Sequence, residues 1–123
     1  MERRKGPLRV YLVEDSAILR NLLTGLITSI GAAIVGHSDS AASAIREIKS
    51  LEIDVVVVDI SLREGDGFDV LRATHSMVKR LKRIVLSNYS LPAYRDAAAK
   101  LEVDGYFDKS TDITRMIEYL AWL

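Results

Sequence analysis

Five polar side chains stand where short apolar runs end. Glu14 and Asp15 follow Leu8–Val13, Asp59 follows Val55–Val58, Ser87 follows Ile84–Leu86, and Lys109 lies just past Gly105–Phe107. Three carboxylates, a hydroxyl and an amine form a coherent set if the fold gathers them. Carboxylates within ~5 Å of one another repel by about 3 kcal/mol per pair at an effective dielectric near 20. Such a cluster calls for a compensating cation. A hard divalent ion with oxygen ligands is the natural candidate, and Mg2+ takes one or two carboxylates, retained waters and a phosphate oxygen. Lys109 adds a further positive charge, and Ser87 offers a hydroxyl to a phosphoryl oxygen. Asp59 is a carboxylate nucleophile able to form an aspartyl phosphate. Without metal, Asp59→Asn is expected to relieve repulsion and stabilise the fold by roughly 1–3 kcal/mol. Singly, each residue has a plainer use: an Asp after a strand is commonly a helix N-cap or turn residue, and a lone Ser or Lys carries no message. The signal lies in the strand ends carrying suitable types together.

The elements that must position these residues alternate along the chain. Strand-like runs are Leu8–Val13, Ala32–Gly36, Val55–Val58, Ile84–Leu86 and Gly105–Phe107. Between them the apolar residues recur at helical spacing. A first helix presents Ile18, Leu19, Leu22, Leu23, Leu26, Ile27 and Ile30, capped by Asp15 or Ser16 and ended by Gly31. A second runs roughly over 41–51, with Ala44, Ile45, Ile48 and Leu51 inward. A third starts near Gly67 and carries Phe68, Leu71 and Val78. A fourth follows Pro92, with Tyr94, Ala97, Ala98 and Leu101 inward. A fifth opens at Ser110 or Thr111 and buries Ile113, Met116, Ile117 and Leu120.

Alternating strands and helices imply right-handed crossovers and a mainly parallel sheet. Four consecutive valines, Val55–Val58, require cover on both faces of their strand. The expected architecture is an α/β three-layer sandwich of five parallel strands and five helices. Strand order 2-1-3-4-5 is the flavodoxin-like option, which periodicity alone does not fix. In such sheets ligands collect at the carboxyl ends of the strands, where the five polar residues sit.

The chain has 123 residues, enough for one domain and one core, so 1–123 reads as a single unit with residues 1–7 a flexible, solvated tail. Seventeen basic residues balance seventeen acidic ones. That balance provides no basic field for nucleic acid. The chain has no cysteine, which excludes disulfides and thiolate chemistry and fits a reducing, cytoplasmic setting. No apolar run approaches the ~18 residues of a membrane span.

Several stretches together resemble the receiver domains of two-component response regulators: Tyr11-Leu12-Val13-Glu14-Asp15-Ser16, Val57-Val58-Asp59-Ile60-Ser61-Leu62, Gly65-Asp66-Gly67, Leu86-Ser87-Asn88 and Gly105-Tyr106-Phe107-Asp108-Lys109-Ser110. The likeness runs from Val10 to about Leu120. It implies that Asp59 is the phosphoacceptor and that Asp15 ligates Mg2+ directly, with Glu14 acting mainly through water. It further implies that the Ser61 carbonyl is a metal ligand and that Ser87 and Tyr106 are switch residues. Lys109 would pair with the phosphate. The implied donor is a phosphohistidine on a sensor histidine kinase or histidine phosphotransfer protein. The implied output is a protein effector, reached through the fourth helix, fifth strand and fifth helix, a face that also serves homodimers. Proline often follows the family's lysine, commonly with a cis bond. Here Ser110 follows, and a cis non-proline bond costs ~3 kcal/mol, which favours trans. Asn88 and Tyr89 stand where smaller residues are usual and, with Ser61, should tune water access. No effector follows the fifth helix in this chain, so a stand-alone receiver is expected.

Two other classes compete with this signalling switch, which modifies only itself. An aspartate-nucleophile phosphatase looks for a second Asp two residues after the first, where Ser61 stands, and for a cap domain. A receiver-like interaction module independent of phosphorylation would not need the acidic set and Lys109. The remaining features carry less. His37 and His75 have no partner spacing and read as ordinary surface residues. Lys79-Arg80-Leu81-Lys82-Arg83 reads as a solvated helix end, favourable to the helix dipole. Arg3, Arg4 and Lys5 read as part of the tail. Tyr89 is either a loop anchor or a shield of the pocket, and Trp122 is expected to pack along the last helix.

Overall fold

A computed structural model describes residues 6–123. Five strands and five helices alternate: β1 (Arg9–Val13), α1 (Ala17–Ser29), β2 (Ala33–Ser38), α2 (Ala41–Ser50), β3 (Val55–Val58), α3 (Gly67–Ala73), β4 (Lys82–Ser87), α4 (Pro92–Lys100), β5 (Gly105–Asp108) and α5 (Ile113–Trp122). A short 3-10 turn, His75–Met77, separates α3 from β4. All strand pairs are parallel, in the order β2-β1-β3-β4-β5. This is the flavodoxin-like sandwich.

The valine run shows why the sheet is covered twice. Val56 and Val58 join Tyr11, Val13 and Val85 in a core under α2, α3 and α4. Val55 and Val57 join Val10, Leu12, Ile84 and Leu86 in a second core under α1 and α5. All four valines are buried, each contributing about 1.5–3 kcal/mol of hydrophobic transfer. β1 and β3 thus form a rigid centre, and the residues just beyond them inherit that rigidity.

Local signals start and stop the helices. Ser16 Oγ accepts from Leu19 N at 3.2 Å, and Asp66 forms a reciprocal capping box with Asp69. Gly31, at φ +87°, takes the left-handed conformation that closes α1. No described peptide bond is cis, including Lys109-Ser110.

Some expectations fail for identifiable reasons. Ile18 and Leu22 are 85% and 51% exposed; Leu23 and Ile27 make the contact that α1 needs. Leu51 lies beyond α2 and is exposed. Val78 is not on α3: that helix ends at Ala73, and the Thr74 hydroxyl turns back to the Val70 carbonyl at 2.8 Å. α5 opens at Ile113 because Ser110 bonds Asp108 instead of capping the helix. Trp122 is 85% exposed and does not pack along α5. The basic run 79–83 is not a solvated helix end. It leads into β4, and Arg83 is fully buried beneath α3 and α4. The reading of Met1–Lys5 lies outside the described residues, while Gly6 and Pro7 are exposed. Among the described residues no helix is long and apolar enough to cross a membrane.

Candidate functional site

The parallel ladder continues one residue beyond several strands. Glu14 N donates to the Ser38 carbonyl at 3.0 Å, Asp59 N to Val13 at 2.9 Å, and Lys109 N to Ser87 at 3.1 Å. These bonds fix the backbone of the site residues in the register of the sheet, so their side chains rise from one edge. One carboxylate oxygen from each of Glu14, Asp15 and Asp59 lies within 4.8 Å of the others. Glu14 and Asp59 are buried, and Asp15 is half-buried.

Lys109 is inside this group rather than opposite it. Its Nζ lies 2.7 Å from Glu14 Oε1 and 2.7 Å from Asp59 Oδ2. The other carboxylate oxygens are also engaged: Asp59 Oδ1 accepts from Ser61 N at 3.2 Å, and Glu14 Oε2 accepts from Ser16 N at 3.0 Å. Asp59 thus has compensating contacts that Asp59→Asn would weaken, which offsets the relief of repulsion and removes the expected gain of roughly 1–3 kcal/mol. Burial, reinforced by the Asp59 charge, raises the Glu14 carboxyl above its ordinary range against the pull of Lys109 and Ser16. Burial alone would lower Lys109, but its bonds to Asp59 and Glu14 outweigh that and raise it.

Above the charges opens a cleft of about 230 Å³ lined by Asp15, Asp59, Ser61, Ser87, Asn88, Tyr89 and Lys109. All the lining residues but Asn88 and Tyr89 are positions singled out for chemistry. Ser87 is buried, and its hydroxyl accepts from Tyr89 N at 3.1 Å. Tyr106 stands beside the cleft. Its hydroxyl donates to the Tyr89 carbonyl, and the Arg95 guanidinium sits 4.7 Å from its ring centre. Burial raises the Tyr106 phenol, with Arg95 opposing. Tyr89 both lines the cleft and anchors its loop, stacking on Tyr94 at 5.1 Å. A larger hollow of about 550 Å³ lies at the opposite sheet edge near Arg9, Ile48, Asp54 and Leu81. It gathers no comparable set of reactive groups.

Sequence reasoning missed Asp108, Ser90 and Arg95, which surround Tyr106 and Lys109. Asp108 immediately precedes Lys109, a hint available in the sequence. Nothing in the spacing of Ser90 or Arg95 announces a contact with β5. His37 stays apart from the acidic cluster, and His75 pairs with Glu102 at 3.0 Å on the surface.

The comparisons with known proteins agree with this geometry. Over 112 residues the chain is 29% identical to chemotaxis protein CheY of Thermotoga maritima, covering 91% of this chain and 93% of that protein. It is 31% identical over 108 residues to protein-glutamate methylesterase/protein-glutamine glutaminase 2 of Koribacter versatilis, covering 85% of this chain but 29% of that longer protein. A LuxR-family two-component response regulator from Aurantimonas superposes with TM-score 0.84 at 25% identity, over 95% of this chain and 86% of that one. The REC domain of AraT, a response regulator from Geobacillus stearothermophilus, gives 0.80 at 26%, over 94% and 91%. The family model for the response regulator receiver domain matches residues 10–121, and the chain belongs to that family.

Proposed function

We propose that the chain is a phospho-accepting receiver: it takes a phosphoryl group from a phosphohistidine donor onto Asp59 and changes the α4-β5-α5 surface that a partner reads. The observation that carries this reading is the Asp59 carboxylate held 2.7 Å from Lys109 Nζ at the floor of an open cleft. In the transfer, an Asp59 oxygen attacks phosphorus, the new O–P bond forms as the P–N bond breaks, and the donor imidazole leaves with the bonding pair. Lys109 remains beside the acceptor and balances charge on the phosphoryl oxygens. The Ser87 hydroxyl, which accepts from Tyr89 N and keeps its own proton, donates that proton to one of those oxygens.

The gathered donors are all oxygen, which suits Mg2+ and excludes the nitrogen and sulfur preferences of zinc. Asp15, Asp59 and the Ser61 carbonyl would hold it, with Glu14 acting through water, and the ion would neutralise phosphoryl charge. The donor is a sensor histidine kinase or histidine phosphotransfer protein in the cytoplasm. The receiver turns over no external metabolite; it only gains and loses its own phosphoryl group. The output is a contact with a protein effector or with a second copy through α4-β5-α5.

A small phosphodonor such as acetyl phosphate with Mg2+ is expected to add one phosphoryl mass to the wild type and none to Asp59→Asn. An unchanged wild-type mass would sink the proposal. Normal signalling by Asp59→Ala in cells would favour the phosphorylation-independent module instead.

A further inference from the structure

We propose that Asp108 is a positioning residue, which holds the loop that follows Ser87 in its resting place by gripping Ser90 and must release it when the domain switches. The inference rests on the phospho-accepting reading and adds to it a restraint formed by this chain's own residues. Asp108 ends β5, directly before Lys109. Its Oδ2 accepts from the Ser90 hydroxyl, and its Oδ1 accepts from Ser110 N at 2.8 Å and from the Ser110 hydroxyl. Ser90 belongs to the β4–α4 connection and Ser110 to the β5–α5 connection. One carboxylate therefore ties together the two loops that flank the cleft.

The β4–α4 connection is held from β5 as well as from α4, whose Tyr94 stacks on Tyr89. α4 begins without a side-chain cap. Further bonds hold the connection instead: the Tyr106 hydroxyl donates to the Tyr89 carbonyl, and Arg95 Nε donates to the Ser90 carbonyl at 3.2 Å. Arg95 Nη1 also reaches the Tyr106 carbonyl at 3.3 Å, closing the ring of contacts on β5. At the cleft end, the Ser87 hydroxyl is occupied by Tyr89 N. Rotating the Ser87 side chain towards a phosphoryl group on Asp59 moves its oxygen away from Tyr89 N, and Tyr89 is followed directly by Ser90. Ser90 to Asp108 is a bond to a charged acceptor, roughly twice as strong as a neutral one, so it is the principal brake. The hydrogen bonds from Ser110 and Ser90 also hold the Asp108 carboxyl down near 2, so the acceptor stays charged at neutral pH.

The experiment uses the full chain carrying Ser90→Ala, Ser90→Thr or Asp108→Asn. Two quantities are read: amide hydrogen exchange at Tyr89 without phosphodonor, and the rate of phosphorylation by acetyl phosphate with Mg2+. Ser90→Ala is expected to speed both by on the order of 3- to 10-fold. Exchange at Leu12 in the sheet centre should stay unchanged. Ser90→Thr keeps the hydroxyl and should match wild type, a rescue that a general loosening would not produce. Asp108→Asn should match Ser90→Ala in direction, and supplies the reading if Ser90→Ala folds poorly. Wild-type exchange at Tyr89 in both Ser90→Ala and Asp108→Asn would overturn the grip. Faster exchange with an unchanged phosphorylation rate would overturn the brake. If wild type itself accepted no phosphoryl group, the functional proposal and the brake would fall together, while exchange at Tyr89 would still decide the grip.

Discussion

Among the described residues two cations, Lys109 and Arg83, are lodged in surroundings that differ in kind. Lys109, at the carboxyl edge of the sheet, is held by the ionisable side chains Glu14 and Asp59. Arg83, near the other end of β4, is held mainly by backbone. Its Nη1 donates to the Leu71 carbonyl at 2.6 Å and approaches Thr74 Oγ1 at 3.4 Å, while Nη2 donates to the Leu101 carbonyl. These carbonyls lie at the C-terminal ends of α3 and α4, where the helix dipole favours positive charge. Backbone carbonyls cannot titrate or leave, so Arg83 is a permanent rivet. The carboxylate partners of Lys109 can be protonated, so its contacts are exchangeable. Burial lowers the Arg83 guanidinium, opposed by the charges of Asp104 and Glu102, whereas Lys109 is raised.

The contrast is tested most severely at the rivet. Arg83→Met fills similar space but leaves the helix-end carbonyls without their donor, and it is expected to cost about 3–4 kcal/mol in urea melts. A loss below about 1 kcal/mol would show that the two cations are not different in kind. Lys109→Met should cost less, about 2–3 kcal/mol at pH 7 without metal, because the cleft admits water to the stranded carboxylates. That deficit should also depend on pH. Carboxyls whose folded pKa is raised contribute stability that is complete below the unfolded value and lost as pH rises through the folded one. Glu14 is already raised in the wild type, and loss of Lys109 raises it further. The Lys109→Met deficit should therefore shrink between pH 7 and pH 5, while the Arg83→Met deficit should not.

Smaller effects sharpen the comparison. In metal-free buffer Asp59→Asn removes repulsion from Glu14 and Asp15 but weakens a bond to Lys109, so the two changes offset to a net within about 1 kcal/mol. A gain well above that would mean Lys109 does not hold Asp59 in solution. Asp108 is a carboxylate with neutral partners, held at about 2 against an ordinary 3.8. Its contribution is present above 3.8 and lost as pH falls through about 2. Asp108→Asn should flatten that acid limb in thermal melts, the mildest change of the series; an unaltered limb would show that the hydroxyl contacts carry no linkage.

The alternation of strands and helices was legible because hydrophobic periodicity survives without tertiary information. Convergence of Glu14, Asp15, Asp59, Ser87 and Lys109 was legible because parallel strands end on one edge. What pairs with what was not. Arg83 sits in a run of basic residues, and only the packing of α3 and α4 over β4 decides that this one is enclosed while Lys82 beside it is exposed. Ile18 and Leu22 obey the same spacing as Leu23 and Ile27, yet the face of α1 that meets the core is centred on Leu23 and Ile27 and leaves the other two outside. That Lys109 Nζ reaches between Glu14 and Asp59 was not legible either, because a sequence gives charge and order but not reach.

Gly67 opens α3 against the end of β3, donating its N–H to the Ile60 carbonyl at 2.8 Å. A Cβ on it would come 2.3 Å from the Asp59 carbonyl oxygen and 2.9 Å from Ile60 Cα, closer than atoms tolerate. Every single-base change that replaces a glycine codon with another amino acid introduces that carbon. The peptide of Asp59 is therefore exposed to point mutation through a neighbour that has no functional group at all, and a damaging variant could arise where a survey of polar residues would never look.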